Sequence, residues 1–98
     1  MLLNIDKKQL AELCQRHQIR KLSLFGSYLK GKARVDSDVD LLVEFEPGME
    51  PGLIGLAGIE IELGVLLGGK KVDLRTAEDL SHFFRDEVIR TAEVQYAA

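Results

Sequence analysis

The chain has 98 residues, of which 46% are hydrophobic and 30% charged, so it has the composition of an ordinary soluble globule with room for a single domain spanning residues 1–98. One cysteine, Cys14, excludes intramolecular disulfides and cysteine-based zinc sites. Glu60 and Glu62 interrupt the longest apolar stretch, and the N-terminus has no basic–apolar leader. We therefore expect a cytoplasmic protein that makes no membrane contact.

The net charge of −3 is distributed unevenly along the chain. Residues 1–34 contain eight Lys/Arg and two acidic residues, whereas residues 35–98 contain five and fourteen. A mixed solvated surface is the simpler explanation. A ligand that carries both phosphates and metal ions is the alternative.

The first half of the chain predicts a helix followed by two strands. Apolar residues recur at helical spacing after Asp6, which resembles a helix cap, and they predict a helix near residues 7–17. The segment "RKLSLFG" is typical of a short strand ended by Gly26, and "YLKGK" of a brief helical turn. The alternating segment "DVDLLVEF" predicts a second strand.

Residues 53–67 are ambiguous, because "IEIELGV" alternates like a strand but the whole apolar segment is long for one. We favour a buried helix, with a smooth side for close packing formed by Gly52, Gly55 and Gly58. The segment "KKVDLRT" then predicts another short strand.

Thr76 followed by Asp79 resembles the start of a last helix. The core stripe predicted for that helix consists of Leu80, Phe83, Phe84 and Val88. The resulting order, α-β-(short α)-β-α-β-α, indicates an α/β or α+β fold in which helices pack against a small mixed sheet of three or more strands.

Two aspartates open the second strand, where ordinary folding gains nothing from their repulsion. Asp38 and Asp40 are two residues apart, so on a strand their side chains point the same way. A divalent cation between them would turn repulsion into attraction, and carboxylates without Cys or His favour Mg²⁺ or Mn²⁺. A calcium EF-hand loop starting at Asp36 is excluded, because its sixth and twelfth positions hold Leu41 and Pro47.

A glycine–serine pair follows the first strand. Gly26 permits a sharp turn, and the amides at Ser27 are suited to phosphate oxygens, with Lys30 and Lys32 close by to neutralise charge. Alone, such a pair is a common turn. The pair becomes a specific sequence signal when a strand precedes it and when ten residues separate it from an Asp-x-Asp that opens a second strand.

The stretch "GSYLKGKARVDSDVDLLVEF" resembles the signature of the nucleotidyltransferase superfamily that includes DNA polymerase β. Gly26, Ser27, Asp38 and Asp40 match it position for position, and "KKVDLRT" offers Asp73 as the third carboxylate. Nearly the whole chain resembles the minimal nucleotidyltransferases, in particular the MntA-type antitoxins. Many minimal members have arginine where this chain has lysine, at residue 30.

The resemblance implies a polymerase β-like fold and transfer of AMP from ATP to a hydroxyl with two Mg²⁺ ions, or Mn²⁺. It implies that Asp38, Asp40 and Asp73 are catalytic residues and metal ligands. By the same resemblance, Gly26, Ser27 and Lys30 bind the nucleotide.

The partner implied by the resemblance is a HEPN-family toxin of the HepT type, which the antitoxin silences by AMPylating a tyrosine. We expect no direct nucleic-acid binding, and a homo-oligomer or a hetero-oligomer with the toxin. Two alternatives remain open: a non-catalytic antitoxin that neutralises its partner by contact, and an enzyme that modifies a small molecule. The second is less favoured, because 98 residues leave no separate domain for an acceptor.

Overall fold

The computed structural model describes residues 5–34 and 36–98, which form a four-stranded mixed sheet, three α-helices and a 3₁₀ turn. In chain order the elements are α1 (Lys7–Arg16), β1 (Ile19–Phe25), β2 (Val39–Phe45), α2 (Leu53–Leu66), β3 (Val72–Arg75), the 3₁₀ turn (Ala77–Asp79), α3 (Arg85–Thr91) and β4 (Glu93–Ala97). The predicted fold class is confirmed. Val35, three residues before Asp38, lies outside the described residues.

The sheet order is β3-β2-β1-β4. Strand β1 pairs antiparallel with β2 and β4, whereas β3 runs parallel to β2. A parallel neighbour requires a crossover connection, and α2 provides it. As a result, the end of β1 and the beginnings of β2 and β3 meet at one end of the sheet.

One face of the sheet forms the core with α1 and α2. Alternate residues of β2 from Val39 to Phe45 are at most 6% exposed. The helices contribute Leu10, Leu13, Cys14, Ile59 and Leu63. The residues between them on β2 lie on the other face, called here the outer face, which carries Asp40, Leu42 and Glu44.

The first helix agrees with its prediction to within one residue. The Asp6 carboxylate accepts hydrogen bonds from the backbone N–H groups of Lys8 and Gln9, at 3.0 and 3.1 Å. Cys14 is fully buried on this helix, and burial raises the pKa of its thiol to about 12. Cys14 is therefore a core residue, as its position on the apolar stripe indicates.

The helical interpretation of the ambiguous segment is confirmed, but the helix is buried on one side only. Ile59 and Leu63 are buried, whereas Ile54 is 91% exposed. Gly52, Gly55 and Gly58 are all exposed, and a Cβ added at Gly55 would meet only Pro51, whose Cβ would lie 2.8 Å away in the loop just before the helix. The predicted close packing against the rest of the fold does not occur at these positions. It occurs at Gly64, where an added Cβ would lie 2.6 Å from the Lys70 carbonyl oxygen. No helix of the described residues is long and apolar enough to cross a membrane.

The prediction for the last helix is wrong in extent. The Asp79 carboxylate accepts the backbone N–H of Thr76 at 3.2 Å and closes a 3₁₀ turn. Leu80 is buried, but its extended backbone ends that turn, so the helical stripe does not continue. Phe83 and Phe84 are 88% and 46% exposed instead of forming the core.

The C-terminal strand β4 has no counterpart in the predicted elements. It is a mostly exposed edge strand that pairs with β1, and only Tyr96 packs against the core. Backbone pairing with β1, instead of an apolar alternation, defines this strand. The sequence pattern consequently contained little signal for it.

Candidate active site

Asp40 and Asp73 are direct neighbours across the parallel strands. The register pairs Asp40 of β2 with Asp73 of β3, each the second residue of its strand. Strands in a sheet lie about 4.8 Å apart. Both side chains are half-buried, and alternation places both on the outer face. The structure therefore brings together two of the three carboxylates that were predicted as a cluster.

Asp38 lies one residue before β2 and is half-buried. Its charge acts on the same site. Burial raises the pKa of Asp40, the charges of Asp73 and then Asp38 raise it further, and Arg75 opposes these effects. Asp73 and Asp38 thus both lie close enough to disfavour the ionised form of Asp40, which is the electrostatic condition that a bound cation relieves.

The turn after β1 is built against the Asp40 side chain. Phe25, the last residue of β1, pairs with Asp40, and Gly26 follows with a φ of +78°. A Cβ at Gly26 would lie 2.1 Å from Asp40 Oδ2. Glycine is required here both for the left-handed backbone and for the space that the carboxylate occupies.

Ser27 and Lys30 lie on the turn that Gly26 begins. The Gly26 carbonyl accepts the Lys30 N–H at 3.1 Å, and the Ser27 carbonyl accepts the Lys32 N–H at 2.9 Å. Ser27 is half-buried and Lys30 is exposed. The turn sits at the same end of the sheet as the carboxylates, but neither residue lines the cleft described next.

An open cleft of about 420 Å³ contains Asp40 and Asp73. Its lining consists of Phe25, Asp40, Asp73, Arg75, Asp79, Leu80, Ser81 and Phe84. A second cleft of about 430 Å³ lies further along the outer face, between Leu42 and Ile89, and its lining does not include Asp40 or Asp73. Of these two clefts, the first contains two of the three predicted carboxylates, those of Asp40 and Asp73, and the second contains none of them.

The segment after β3 contributes cleft residues that the sequence analysis assigned elsewhere. Asp79 was interpreted as a helix cap, which it is, and Phe84 as core, which it is not. Ser81 carried no signal. Their location depends on the extended backbone at Leu80, which turns this segment across the outer face and which no periodicity encodes.

Arg75 is the cleft residue with the most specific contact. Its Nε lies 3.3 Å from both carboxylate oxygens of Asp73, and its Nη2 lies 3.3 Å from Asp73 Oδ2. The pKa of Arg75 is raised, first by its hydrogen bonds to Asp73. Asp73 and Arg75 are two residues apart on one strand, so their side chains lie on the same face. This relation between the two residues could be inferred from the sequence.

The donor chemistry of the cleft fits Mg²⁺ or Mn²⁺, because its oxygen donors include the carboxylates of Asp40 and Asp73 on neighbouring strands and that of Asp79 on the 3₁₀ turn. Gly26 leaves room for the Asp40 carboxylate. The ligand shell is not assembled as the side chains stand. Among residues 5–34 and 36–98, no three His, Cys, Asp or Glu side chains converge closely enough to hold an ion. Asp73 is turned to Arg75 instead.

A family model described as a nucleotidyltransferase domain matches residues 6–95. The chain belongs to the nucleotidyltransferase family. Protein adenylyltransferase MntA of Thermococcus cleftensis is 40% identical over 97% of this chain and 88% of its own length. These two matches confirm the resemblance to MntA-type nucleotidyltransferases, and the chain is accordingly a nucleotidyltransferase enzyme.

Solved structures agree with this nucleotidyltransferase fold. A structure assigned as a minimal nucleotidyltransferase is 38% identical and superposes with a TM-score of 0.70, covering 88% of this chain and 85% of that one. The MNT antitoxin complex of a tri-AMPylated Shewanella oneidensis HEPN toxin is 18% identical with a TM-score of 0.64, covering 94% and 70%. At that identity the second match supports the fold alone.

Proposed function

We propose that this nucleotidyltransferase transfers AMP from ATP to a tyrosine hydroxyl of a HEPN-family toxin and so acts as its antitoxin. The relative at 40% identity is a protein adenylyltransferase, and a protein of the same fold is in complex with an AMPylated HEPN toxin. The observation that carries the proposal is the pairing of Asp40 with Asp73 inside the cleft, with Gly26 fitted against Asp40.

The reaction is an in-line displacement at phosphorus. The acceptor hydroxyl oxygen forms a bond to the α-phosphorus of ATP, and the bond from that phosphorus to the oxygen bridging the β-phosphate breaks. Pyrophosphate leaves with the electron pair. Asp73 orients the hydroxyl and accepts its proton, and Gly26 and Ser27 hold the β- and γ-phosphates through backbone amides, with Lys30 as an additional cation.

Asp38, Asp40 and Asp73 would hold the divalent cations, for which carboxylate oxygens are the preferred ligands. Bound Mg²⁺ would supply charge neutralisation on the reacting and leaving oxygens. The protein itself performs little covalent chemistry in such a transfer. Positioning of the phosphates and control of charge account for most of the catalysis.

The acceptor is proposed to arrive on a partner protein. The described residues form one sheet with its helices, and the cleft that holds Asp73 is open to solvent. A tyrosine presented by another chain can enter such a cleft without a dedicated acceptor domain. A small-molecule acceptor is less favoured for the same reason, since a small ligand is usually enclosed on most sides.

The test is a labelling reaction with a HEPN-family toxin as the acceptor protein. Purified enzyme, the toxin, Mg²⁺ and ATP labelled at the α-phosphate are combined, and label on the toxin is measured. Wild-type enzyme should label the toxin, and toxin with its acceptor tyrosine changed to phenylalanine should remain unlabelled. Asp40→Asn should abolish transfer, because the neutral amide can neither hold a cation well nor keep the charge balance of the cleft.

Asp36→Asn is the matched control, since Asp36 is an exposed aspartate two residues from Asp38 and does not line the cleft. It should label the toxin at the wild-type rate. Labelling that persists in Asp40→Asn contradicts the mechanism. Cells that remain protected from the toxin by Asp38→Asn and Asp40→Asn would instead establish the alternative of an antitoxin that acts by contact alone.

A further inference from the structure

We propose that Arg75 is a positioning residue. In the cation-free enzyme its guanidinium binds the Asp73 carboxylate. When the cations bind, Arg75 releases Asp73 and binds the phosphates of the nucleotide. This inference rests on the proposed function. Three contacts of 3.3 Å connect the Arg75 guanidinium with the Asp73 carboxylate and involve both of its oxygens. A carboxylate engaged in this way is not free to complete a cation site.

The Arg75 guanidinium offsets part of the negative charge of the cleft. Among the described residues, the lining includes three carboxylates, on Asp40, Asp73 and Asp79, and one cationic side chain, that of Arg75. The guanidinium partly balances the repulsion between these carboxylates, since it contacts both oxygens of Asp73, the direct strand neighbour of Asp40. When divalent cations enter, that balance is no longer needed, and the guanidinium beside them becomes repulsive.

A purely structural ion pair is the competing explanation, and its location argues against it. The two side chains are 47% and 35% exposed and belong to β3, an edge strand of four residues. Neither belongs to the hydrophobic core. Pairs this exposed contribute little to folding, so Arg75 can leave Asp73 at little cost.

After leaving Asp73, the guanidinium remains inside the cleft, because its backbone is fixed two residues away on the same strand. A guanidinium presents parallel N–H donors that match phosphate oxygens in pairs. Arg75 therefore has two successive anionic partners, first the Asp73 carboxylate and then the nucleotide. Such an exchange couples assembly of the cation site to the presence of ATP.

The test measures Mn²⁺ affinity of the full chain by electron paramagnetic resonance, without any partner or transfer reaction. Arg75→Gln should bind Mn²⁺ about two- to tenfold more tightly than wild type, because the competing cation is gone. Arg75→Lys keeps the positive charge but loses the paired N–H donors of the guanidinium. Its affinity for Mn²⁺ should lie between those of wild type and Arg75→Gln. The control Arg20→Gln removes an equally exposed strand arginine that pairs with Glu44, at 3.8 Å, and should bind Mn²⁺ like wild type.

A second readout separates positioning from structure. In the transfer assay, Arg75→Gln should raise the KM for ATP at least tenfold, and Arg75→Lys should restore part of it. Unchanged or weaker Mn²⁺ binding in Arg75→Gln overturns the inference while leaving the proposed function intact. Mn²⁺ binding that is absent in wild type, or that Asp40→Asn does not weaken, refutes the proposed cation-dependent function and this inference with it.

Discussion

The contact between Gly26 and Asp40 gives the sharpest single test of the site. In Gly26→Ala the new methyl group would lie 2.1 Å from Asp40 Oδ2, whereas ordinary contact begins near 3.4 Å. The carboxylate must therefore move by about 1.3 Å. Displacing a reacting group by 1 Å can cost about 10²-fold in rate, so we expect transfer activity to fall by at least that factor.

The same substitution also strains the backbone, and a control must separate the two effects. An alanine at a φ of +78° costs about 1–2 kcal/mol of folding free energy. Gly48 has the same φ of +78°, and nothing lies within 4 Å of its Cβ position. Gly48→Ala should therefore lose similar stability in urea unfolding but keep wild-type activity.

The two assays are urea unfolding followed by circular dichroism and labelling of the partner toxin at saturating ATP. Both variants should unfold at lower urea concentration than wild type, and only Gly26→Ala should lose transfer. Full activity in Gly26→Ala would show that the position of the Asp40 carboxylate is not critical. Equal loss of activity in Gly48→Ala would show that stability, and not the contact, controls the rate.

Three further predictions concern the stability of the fold. Asp40→Asn should stabilise the fold at pH 7 by less than about 1 kcal/mol, because burial and neighbouring carboxylates raise the pKa of Asp40, while solvent screens a carboxylate that is only partly buried. In urea unfolding this gain should shrink as the pH falls and wild-type Asp40 becomes protonated. Glu62→Gln should destabilise by about 0.2–1 kcal/mol above about pH 5, since a hydrogen bond from Arg16 is the main cause of the lowered pKa of Glu62. That loss should vanish in acid, once the pH has fallen through the pKa of folded Glu62. In α2, Gly64→Ala should cost about 1–3 kcal/mol because its Cβ would meet a backbone carbonyl, whereas Gly58→Ala, in open space, should gain about 0.5–1 kcal/mol in the same measurement.

The sequence predicted well those elements in which the spacing of the apolar residues matches the pattern of buried side chains. In β2 the odd positions from Val39 to Phe45 are buried and the even positions are not, so one pattern reports both the strand and its faces. In α1 the cap residue and the apolar stripe coincide. The same alternation places Asp40 of the site on a strand, on the face opposite the core.

The parts that could not be predicted depend on tertiary pairing. Asp73 meets Asp40 because β3 pairs parallel to β2 in one particular register. The four residues of β3 contain no information on that pairing. Strand β4 exists because β1 offers it an edge, and Phe84 reaches the cleft because Leu80 is extended. Each of these is set by contacts far apart in the chain, which local propensity does not encode.

The position of the site on the outer face explains how so small a fold tolerates an unfavourable cluster of charge. The core lies on the opposite face, where β1, β2 and β3 pack against α1 and α2 without help from the carboxylates. Repulsion between Asp40 and Asp73 therefore reduces stability without opening the core. Since the free energy of unfolding of a domain this size is about 5–15 kcal/mol, an acidic cluster facing the core would remove a much larger share of it. Substitutions at the cleft should consequently change cation binding and transfer much more than they change folding, which is why the matched pairs of variants proposed above can separate the two.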